Sequence, residues 1–135
     1  IGDPIGVCNE CSVYNTDEFG FPEEIYMPPH ARILIKTGLF IQLPEGYEAQ
    51  IRPRSGLALK YGLTVLNSPG TIDSDYTGEI GVILINTSNN NVYIKHGERI
   101  CQCVLSHVPK IEWAQVESLQ DTQRGCQGFG HTGKN

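Results

Sequence analysis

Residues 70–86 read GTIDSDYTGEIGVILIN, so a turn rich in acidic side chains leads into an almost continuous apolar run. The apolar run, from Glu79 to Asn86, is typical of a strand that is buried on both faces in a sandwich core. Within the turn, Asp73 and Asp75 have the period-two spacing that places side chains on one face, opposite to Ile72. The glycines that bound the turn permit positive φ and the close approach of a ligand. The stretch is therefore either an acidic surface hairpin or a site of chemistry.

The remainder of the chain consists of short β-rich segments separated by turns. Its 135 residues, 39% of them hydrophobic, suit one domain spanning residues 1–135 with one core. The only persuasive helical segment is Leu57 to Tyr61, which Gly62 ends. We predict strands near residues 11–14, 31–37, 39–43, 47–52, 63–66, 79–86, 92–95, 99–105 and 108–116. This pattern predicts an all-β sandwich or jelly roll.

Composition limits the partners and the location of the protein. The net charge of −5 argues against broad binding to nucleic acid or to anionic membranes, which requires a basic surface. No apolar run approaches the roughly 18 residues of a membrane span, and we expect a soluble, cytoplasmic protein. The five cysteines favour reduced thiols. Cys8 and Cys11 form a single C-x-x-C, which without a second pair does not predict a structural zinc.

Several arginines lie beside turns, which indicates a phosphate or carboxylate ligand. They are Arg52, Arg54, Arg99 and Arg124. Arg54, Ser55 and Gly56 precede the predicted helix, whose free N–H groups can bind an anion together with a hydroxyl and a guanidinium. The alternative is a plain helical turn that Ser55 caps. Gln102, predicted on a largely buried strand face, is either a satisfied core polar group or a ligand contact.

The end of the chain is rich in glycine. Residues 124–133 contain four glycines and little to bury except Phe129, so we expect a flexible arm over residues 124–135. It is either a tail without function or a lid over a nucleotide. Arg124, Phe129 and Thr132 would supply such a lid with a guanidinium, a stacking face and a hydroxyl.

Four segments match, in order and spacing, four of the five motifs of one enzyme family. They are residues 52–58, 67–79, 97–102 and 124–133. Together they resemble the trimeric deoxyuridine triphosphate nucleotidohydrolases (dUTPases), and the resemblance runs from about Ile25 to Gly133. It implies a jelly-roll homotrimer that hydrolyses dUTP to dUMP and pyrophosphate with Mg²⁺. It also implies that each active site draws on all three subunits.

The resemblance assigns a role to each candidate residue. Asp73 would be the general base that orients a water against the α-phosphorus, with Asp75 as the alternative, because a carboxylate suits that role near neutral pH. Tyr76 would pack under the deoxyribose and leave no room for a 2′-hydroxyl. The implied substrate contacts are Arg54, Ser55, Gly56 and Gln102 on the phosphates; Asn67, Gly70, Thr71 and Ile72 at uracil; and Arg124, Phe129, Gly130 and Thr132 in a lid that excludes water.

The first motif of the family, Ala-Gly-x-Asp-Leu, is absent as such, and residues 1–24 form a divergent N-terminal segment. The aspartate of that motif would correspond to a position near Asp17, which we expect to act on the metal through water. Two other functions stay open at this point. One is a dCTP deaminase-like enzyme, and the other is a non-catalytic dUTP-binding regulatory protein.

Overall fold

The computed structural model describes residues 5–6, 12–16 and 22–129. This part of the chain forms ten strands and one short helix, which confirms the predicted all-β class. The elements are β1 (Ile5–Gly6), β2 (Ser12–Thr16), β3 (Pro22–Met27), β4 (Arg32–Phe40), β5 (Tyr47–Pro53), α1 (Ser55–Tyr61), β6 (Leu63–Val65), β7 (Gly70–Ile72), β8 (Glu79–Asn86), β9 (Val92–Lys95) and β10 (Cys101–His107).

The strands form three antiparallel sheets. A four-stranded sheet has the order β1-β4-β8-β6, and two three-stranded sheets have the orders β10-β5-β7 and β2-β3-β9. Neighbours in these sheets are often distant in sequence, as with β10 and β5, whose register runs from Cys101 opposite Pro53 to His107 opposite Tyr47. Such crossovers are typical of Greek-key sandwiches and jelly rolls.

Strand β8 lies at the centre of the core. Ile80, Val82, Leu84 and Asn86 are buried, whereas the residues between them are only partly buried. The prediction that both faces of this strand are buried is therefore wrong for the isolated chain. The inner face packs on a cluster from the other strands, which includes Met27, Ile33, Ile51, Leu63, Val65 and Ile94.

Asn86 is a polar side chain with no exposed surface, and its hydrogen bonds explain why it is tolerated. Its Nδ2 donates to the carbonyl oxygens of Met27 at 3.2 Å, Pro28 at 3.0 Å and Asn90 at 2.8 Å. Its Oδ1 accepts from the Ser88 amide at 3.0 Å and the Ser88 hydroxyl at 2.8 Å. A buried amide with both ends satisfied stabilises the two loops that it joins.

Helix α1 begins at Ser55. If Ser55 were the N-cap, the helix would begin one residue later, at Gly56. Arg54 is the N-cap and makes no side-chain cap bond, so the alternative in which Ser55 caps the helix is wrong. The predicted end is confirmed, because Gly62 adopts φ 67° and its N–H donates to the Ala58 carbonyl. The left-handed conformation is one that glycine adopts without steric cost.

Two predicted strands differ from the structure. Residues 39–43 do not form a strand of their own, because β4 continues to Phe40 through a bulge between Lys36 and Phe40, where Gly38 has φ 73°. Residues 108–116 form no strand either, since the regular backbone ends with β10 at His107. From Val108 to Phe129 every side chain is exposed.

In the part of the chain that the structure describes, no helix has the length and apolar character needed to cross a membrane.

Candidate active site

The acidic turn links two sheets. Its first strand, β7, pairs with β5 from Gly70 opposite Ile51 to Ile72 opposite Ala49, whereas β8 pairs with β4 and β6. The expected hairpin between its two flanking strands is therefore wrong. Between the strands, the amide of Tyr76 donates to the Asp73 carbonyl at 3.1 Å and closes a tight turn. This turn holds Asp73 and Tyr76 near each other.

The glycines of this stretch serve close packing instead of an unusual backbone. Neither Gly70 nor Gly78 has positive φ, contrary to the expectation from sequence. A Cβ at Gly78 would lie 2.6 Å from the Tyr76 hydroxyl oxygen, and one at Gly70 would lie 3.3 Å from Nδ2 of Asn67. Each glycine leaves room for the side chain of a predicted site residue. The group that comes close to each glycine is therefore a protein side chain, and not the ligand expected from the sequence.

Asp73 and Tyr76 open onto a groove between the turn and the outer face of the β4–β8 pair. Thr71 and Ile72 line it as well, and its volume is about 530 Å³. The other lining residues are Leu34, Lys36, Glu79, Gly81 and Ile83. These five were not predicted from sequence. Period-two alternation could have placed them on the outer face of β4 and β8. It could not have shown which turn covers that face.

Tyr76 is fixed at the groove although 45% of its surface is exposed. Its hydroxyl donates to the Glu79 carbonyl at 2.8 Å, so the ring folds back over Gly78. The Glu79 carboxylate accepts from the Gly38 amide at 2.8 Å, which ties the turn to the bulge of β4. These bonds give the ring a defined position before any ligand binds.

The predicted phosphate-binding residues gather at another place, where β5, β10 and α1 meet. Gln102 Nε2 donates to the Pro53 carbonyl at 3.0 Å, and Nη1 of Arg54 donates to the Arg99 carbonyl. Ser55 and Gly56 are exposed at the start of the helix. Gln102 is itself exposed, so the expectation that it lies on a buried face is wrong. Its position leaves the side chain open to a ligand.

The strand register separates these two places within one chain. Ile72 lies opposite Ala49, and Asp73 continues beyond it, while Arg54 follows the other end of β5. At about 3.3 Å per residue, Asp73 and Arg54 lie roughly 20 Å apart. One chain therefore holds the candidate residues in two separate groups, with Asp73 and Tyr76 in one and Arg54 and Gln102 in the other.

In the C-terminal segment, the hydrogen bonds of Arg124 are local. Arg124 Nε donates to the Gln127 carbonyl at 2.7 Å, and its Nη2 donates to the Gly128 carbonyl at 3.2 Å. Phe129 is fully exposed and does not touch the groove. Gly130, Thr132 and Asp17 lie outside the described residues, so the structure places none of these three candidates.

Next to Gln102, Cys101 packs against the core from the other face of β10. Burial raises the pKa of the Cys101 thiol, and the neighbouring Cys103 adds to this effect. Cys101, Cys103 and Cys126 are free thiols, as the sequence predicted for the cysteines. Cys8 and Cys11 lie outside the described residues.

Comparison with known proteins matches this arrangement to one family. The dUTPase family model matches residues 20–133. A deoxyuridine 5′-triphosphate nucleotidohydrolase of Hydrogenobaculum sp. (strain Y04AAS1) is 58% identical over 117 residues, which cover 87% of this chain and 81% of that protein. The enzyme of the same name from Fusobacterium nucleatum is 55% identical over 112 residues, covering 83% and 77%.

Among solved structures, a mutant dUTPase of Staphylococcus bacteriophage 80alpha with dUpNHpp has a similar fold. The TM-score is 0.75 at 27% identity, and the match covers 82% of this chain and 81% of that one. The residues that the family model matches, 20–133, include both groups of candidate residues, from the predicted phosphate-binding cluster to the turn with Asp73. The chain therefore belongs to the dUTPase family.

Proposed function

We propose that this protein hydrolyses dUTP to dUMP and pyrophosphate by in-line attack of a water on the α-phosphorus, with Asp73 as the general base. The single observation that carries the proposal is the turn that holds Asp73 and Tyr76 together at the mouth of one groove. Membership of the dUTPase family supports the substrate. Asp75 is exposed and does not line the groove, which favours Asp73 as the base.

The reaction needs a carboxylate within reach of one water. The Asp73 carboxylate accepts a proton from that water as the oxygen bonds to the α-phosphorus, and pyrophosphate leaves with the electron pair of the broken P–O bond. Asp73 is exposed at the groove and has no packing to break before it receives the water. Its contribution is to orient and deprotonate the nucleophile.

Recognition of the nucleoside falls to Tyr76, to strand β7 and to Asn67 in the loop before it. Tyr76 packs under the deoxyribose, where its fixed ring leaves no space for a 2′-hydroxyl. Asn67, together with the backbone of Gly70, Thr71 and Ile72, reads the uracil edge. Because Gly70 has no Cβ, it leaves room for the Asn67 amide beside the strand, which supports this role.

The phosphates bind at a cluster on a second copy of the chain. Arg54, Ser55, Gly56 and Gln102 hold them, but Arg54 lies roughly 20 Å from Asp73 of its own chain by the strand register, too far for one triphosphate to reach both. A homotrimer with shared sites solves this problem, because Asp73 of one copy then faces Arg54 of another. Sedimentation should give about three times the chain mass of 14.9 kDa.

The exposed C-terminal segment also supports assembly. Ile111, Trp113 and Leu119 are exposed by 67%, 91% and 87%, an unfavourable arrangement for apolar side chains in water. In the proposed homotrimer this segment crosses to neighbouring copies. The arm then closes over the site with Arg124 and Thr132 on the distal phosphates, and with Phe129 and Gly130 over uracil.

The family implies Mg²⁺, and the residues fit an ion held mainly by the substrate. Within the described ranges, no group of three His, Cys, Asp or Glu side chains forms a cage. Mg²⁺ keeps several waters and binds through phosphates and one or two carboxylates, so it needs no such cage. Asp17 would hold it through water, and the bound ion would neutralise charge on the phosphates. Asp73, Arg54 and Gln102 keep the roles given above.

The test is pyrophosphate release by the purified protein with dUTP, dCTP and UTP at equal concentration. We expect release from dUTP alone, and Asp73→Asn should abolish turnover while dUTP still binds. Ammonia release from dCTP would identify a deaminase instead, and tight dUTP binding without hydrolysis would identify a regulatory protein. Turnover by Asp73→Asn near the wild-type rate would refute the assignment of the base. The proposed cytoplasmic location is tested by fractionating cells that express the tagged chain.

A further inference from the structure

The outer face of strand β5 carries a row of polar side chains that the reaction described above does not use. Ala49 and Ile51 point into the core, so Glu48, Gln50 and Arg52 lie on the opposite face of the strand. We call these three residues the β5 row. The row leads along the strand towards the cluster of Arg54 and Gln102.

Hydrogen bonds connect the β5 row in one direction. Arg52 donates from Nε at 3.1 Å and from Nη2 at 2.6 Å to the same acceptor, Oε1 of Gln50. The Gln50 amide nitrogen donates in turn to Oε1 of Glu48. A guanidinium can only donate and a carboxylate can only accept, so the amide orientation is fixed by its two partners. The row therefore sets the direction of the Arg52 guanidinium.

Arg52 ends the row beside the phosphate-binding cluster. It lies directly opposite Gln102 in the β5–β10 register, and opposed residues of an antiparallel pair share a face. Gln102 donates to Pro53, the residue between Arg52 and Arg54. Within the residues that the structure describes, no hydrogen bond uses Nη1 of Arg52. A guanidinium edge is thus left open next to Gln102.

The middle position of Gln50 keeps the Arg52 charge available. A carboxylate at that position would pair with the guanidinium directly, whereas the neutral amide holds it in place without cancelling its charge. Glu48 completes the row by binding the far end of the amide. An ordered guanidinium that is bound to a neutral amide and lies opposite Gln102, two residues before Arg54, is suited to an anion with several phosphates.

We propose that Arg52 is a further phosphate-binding residue of this site, and that Gln50 and Glu48 are positioning residues that orient it. The inference rests on the proposed function, because it takes the ligand at Gln102 to be a nucleoside triphosphate. Arg52 contacts the phosphates beyond the α-position, so it acts on the triphosphate and not on the monophosphate product.

The experiment is calorimetric titration of the full chain with dUpNHpp and, separately, with dUMP. Arg52→Gln should weaken dUpNHpp binding about tenfold, the usual order for one exposed charge-assisted contact, and should change dUMP binding less than about twofold. Gln50→Leu should weaken dUpNHpp binding about threefold through loss of orientation alone. The double variant should equal Arg52→Gln, since Gln50 acts only through Arg52.

Arg32→Gln is the matched control, because Arg32 is an exposed arginine on β4 and does not line the groove. It removes the same charge from another place. If Arg52→Gln weakens dUpNHpp binding no more than Arg32→Gln does, or weakens dUMP binding equally, the inference is wrong and the proposed function stands. If the wild-type protein binds neither nucleotide, the proposed function is wrong and the inference falls with it.

Discussion

Replacement of Gly78 by alanine should displace Tyr76 and relax the selection against ribonucleotides. The new Cβ would lie 2.6 Å from the tyrosine hydroxyl oxygen and 2.7 Å from Cζ, whereas ordinary contacts are 3.4 Å or longer. The ring must therefore move by about 1 Å, which also strains its 2.8 Å bond to the Glu79 carbonyl.

The effect on selectivity follows from how a packed site rejects an added hydroxyl. Packing alone discriminates against an extra hydroxyl by roughly 100-fold, and a displacement of about 1 Å removes much of that effect. We therefore expect the ratio of kcat/KM for dUTP over UTP to fall about tenfold or more. The assay is pyrophosphate release from each nucleotide over a range of concentrations.

Two further variants isolate the cause. Thr77→Ala changes the exposed neighbour of Gly78 and should leave the ratio unchanged. Adding Gly78→Ala to Tyr76→Ala should have no further effect, because the clashing ring is already gone. An unchanged ratio in Gly78→Ala, or a further loss when the ring is absent, would refute the reasoning.

Three more outcomes follow from the structure. Asn86→Ala should lower the free energy of unfolding by about 3 kcal/mol, because the fully buried amide joins Met27, Pro28 and Asn90. Urea titration measures this change, and a loss below about 1 kcal/mol would contradict the role of Asn86. Iodoacetamide should alkylate Cys101 more slowly than Cys103 at pH 8, because burial raises the pKa of Cys101 and lowers its thiolate fraction. Raising the pH should speed up the reaction of Cys101. Mass spectrometry of the peptides measures both rates, and equal rates would contradict this prediction. Trp113 is 91% exposed in the single chain, so its acrylamide quenching should fall as the protein assembles with rising concentration, whereas constant quenching would place the segment in water.

Much of the fold could be predicted from sequence because each signal was local. Short apolar segments between turn residues located β5, β8 and β9, and Gly62 marked the end of the helix. The errors arose where tertiary contacts override local pattern. Ile83 and Ile85 look buried by composition, but they are only partly buried, and no element among the described residues covers their face of β8 completely.

The candidate residues of the site could be named from the sequence, but their geometry could not. Asp73, Tyr76, Arg54 and Gln102 could be named as candidates by motif, yet the motifs do not indicate that the register of the β10-β5-β7 sheet holds Asp73 and Arg54 at opposite ends of β5. The roles of Gly78 and Gln50 also depend on side-chain contacts, which Gly78 makes with Tyr76 in the turn and Gln50 makes with Arg52 along β5. The segment from Val108 to Val116 looked like a strand because apolar residues recur in it, but it has no partner strand within the described chain.

The most direct test of the shared site is a mixing experiment with two inactive variants. Asp73→Asn lacks the base and Arg54→Gln lacks a phosphate contact, and each alone should release almost no pyrophosphate from dUTP. Co-expressed in equal amounts, they should recover about one quarter of the wild-type activity, the share of sites that combine an intact Asp73 from one copy with an intact Arg54 from another. Mixed assemblies confirmed by mass spectrometry that stay inactive would contradict a site built between copies.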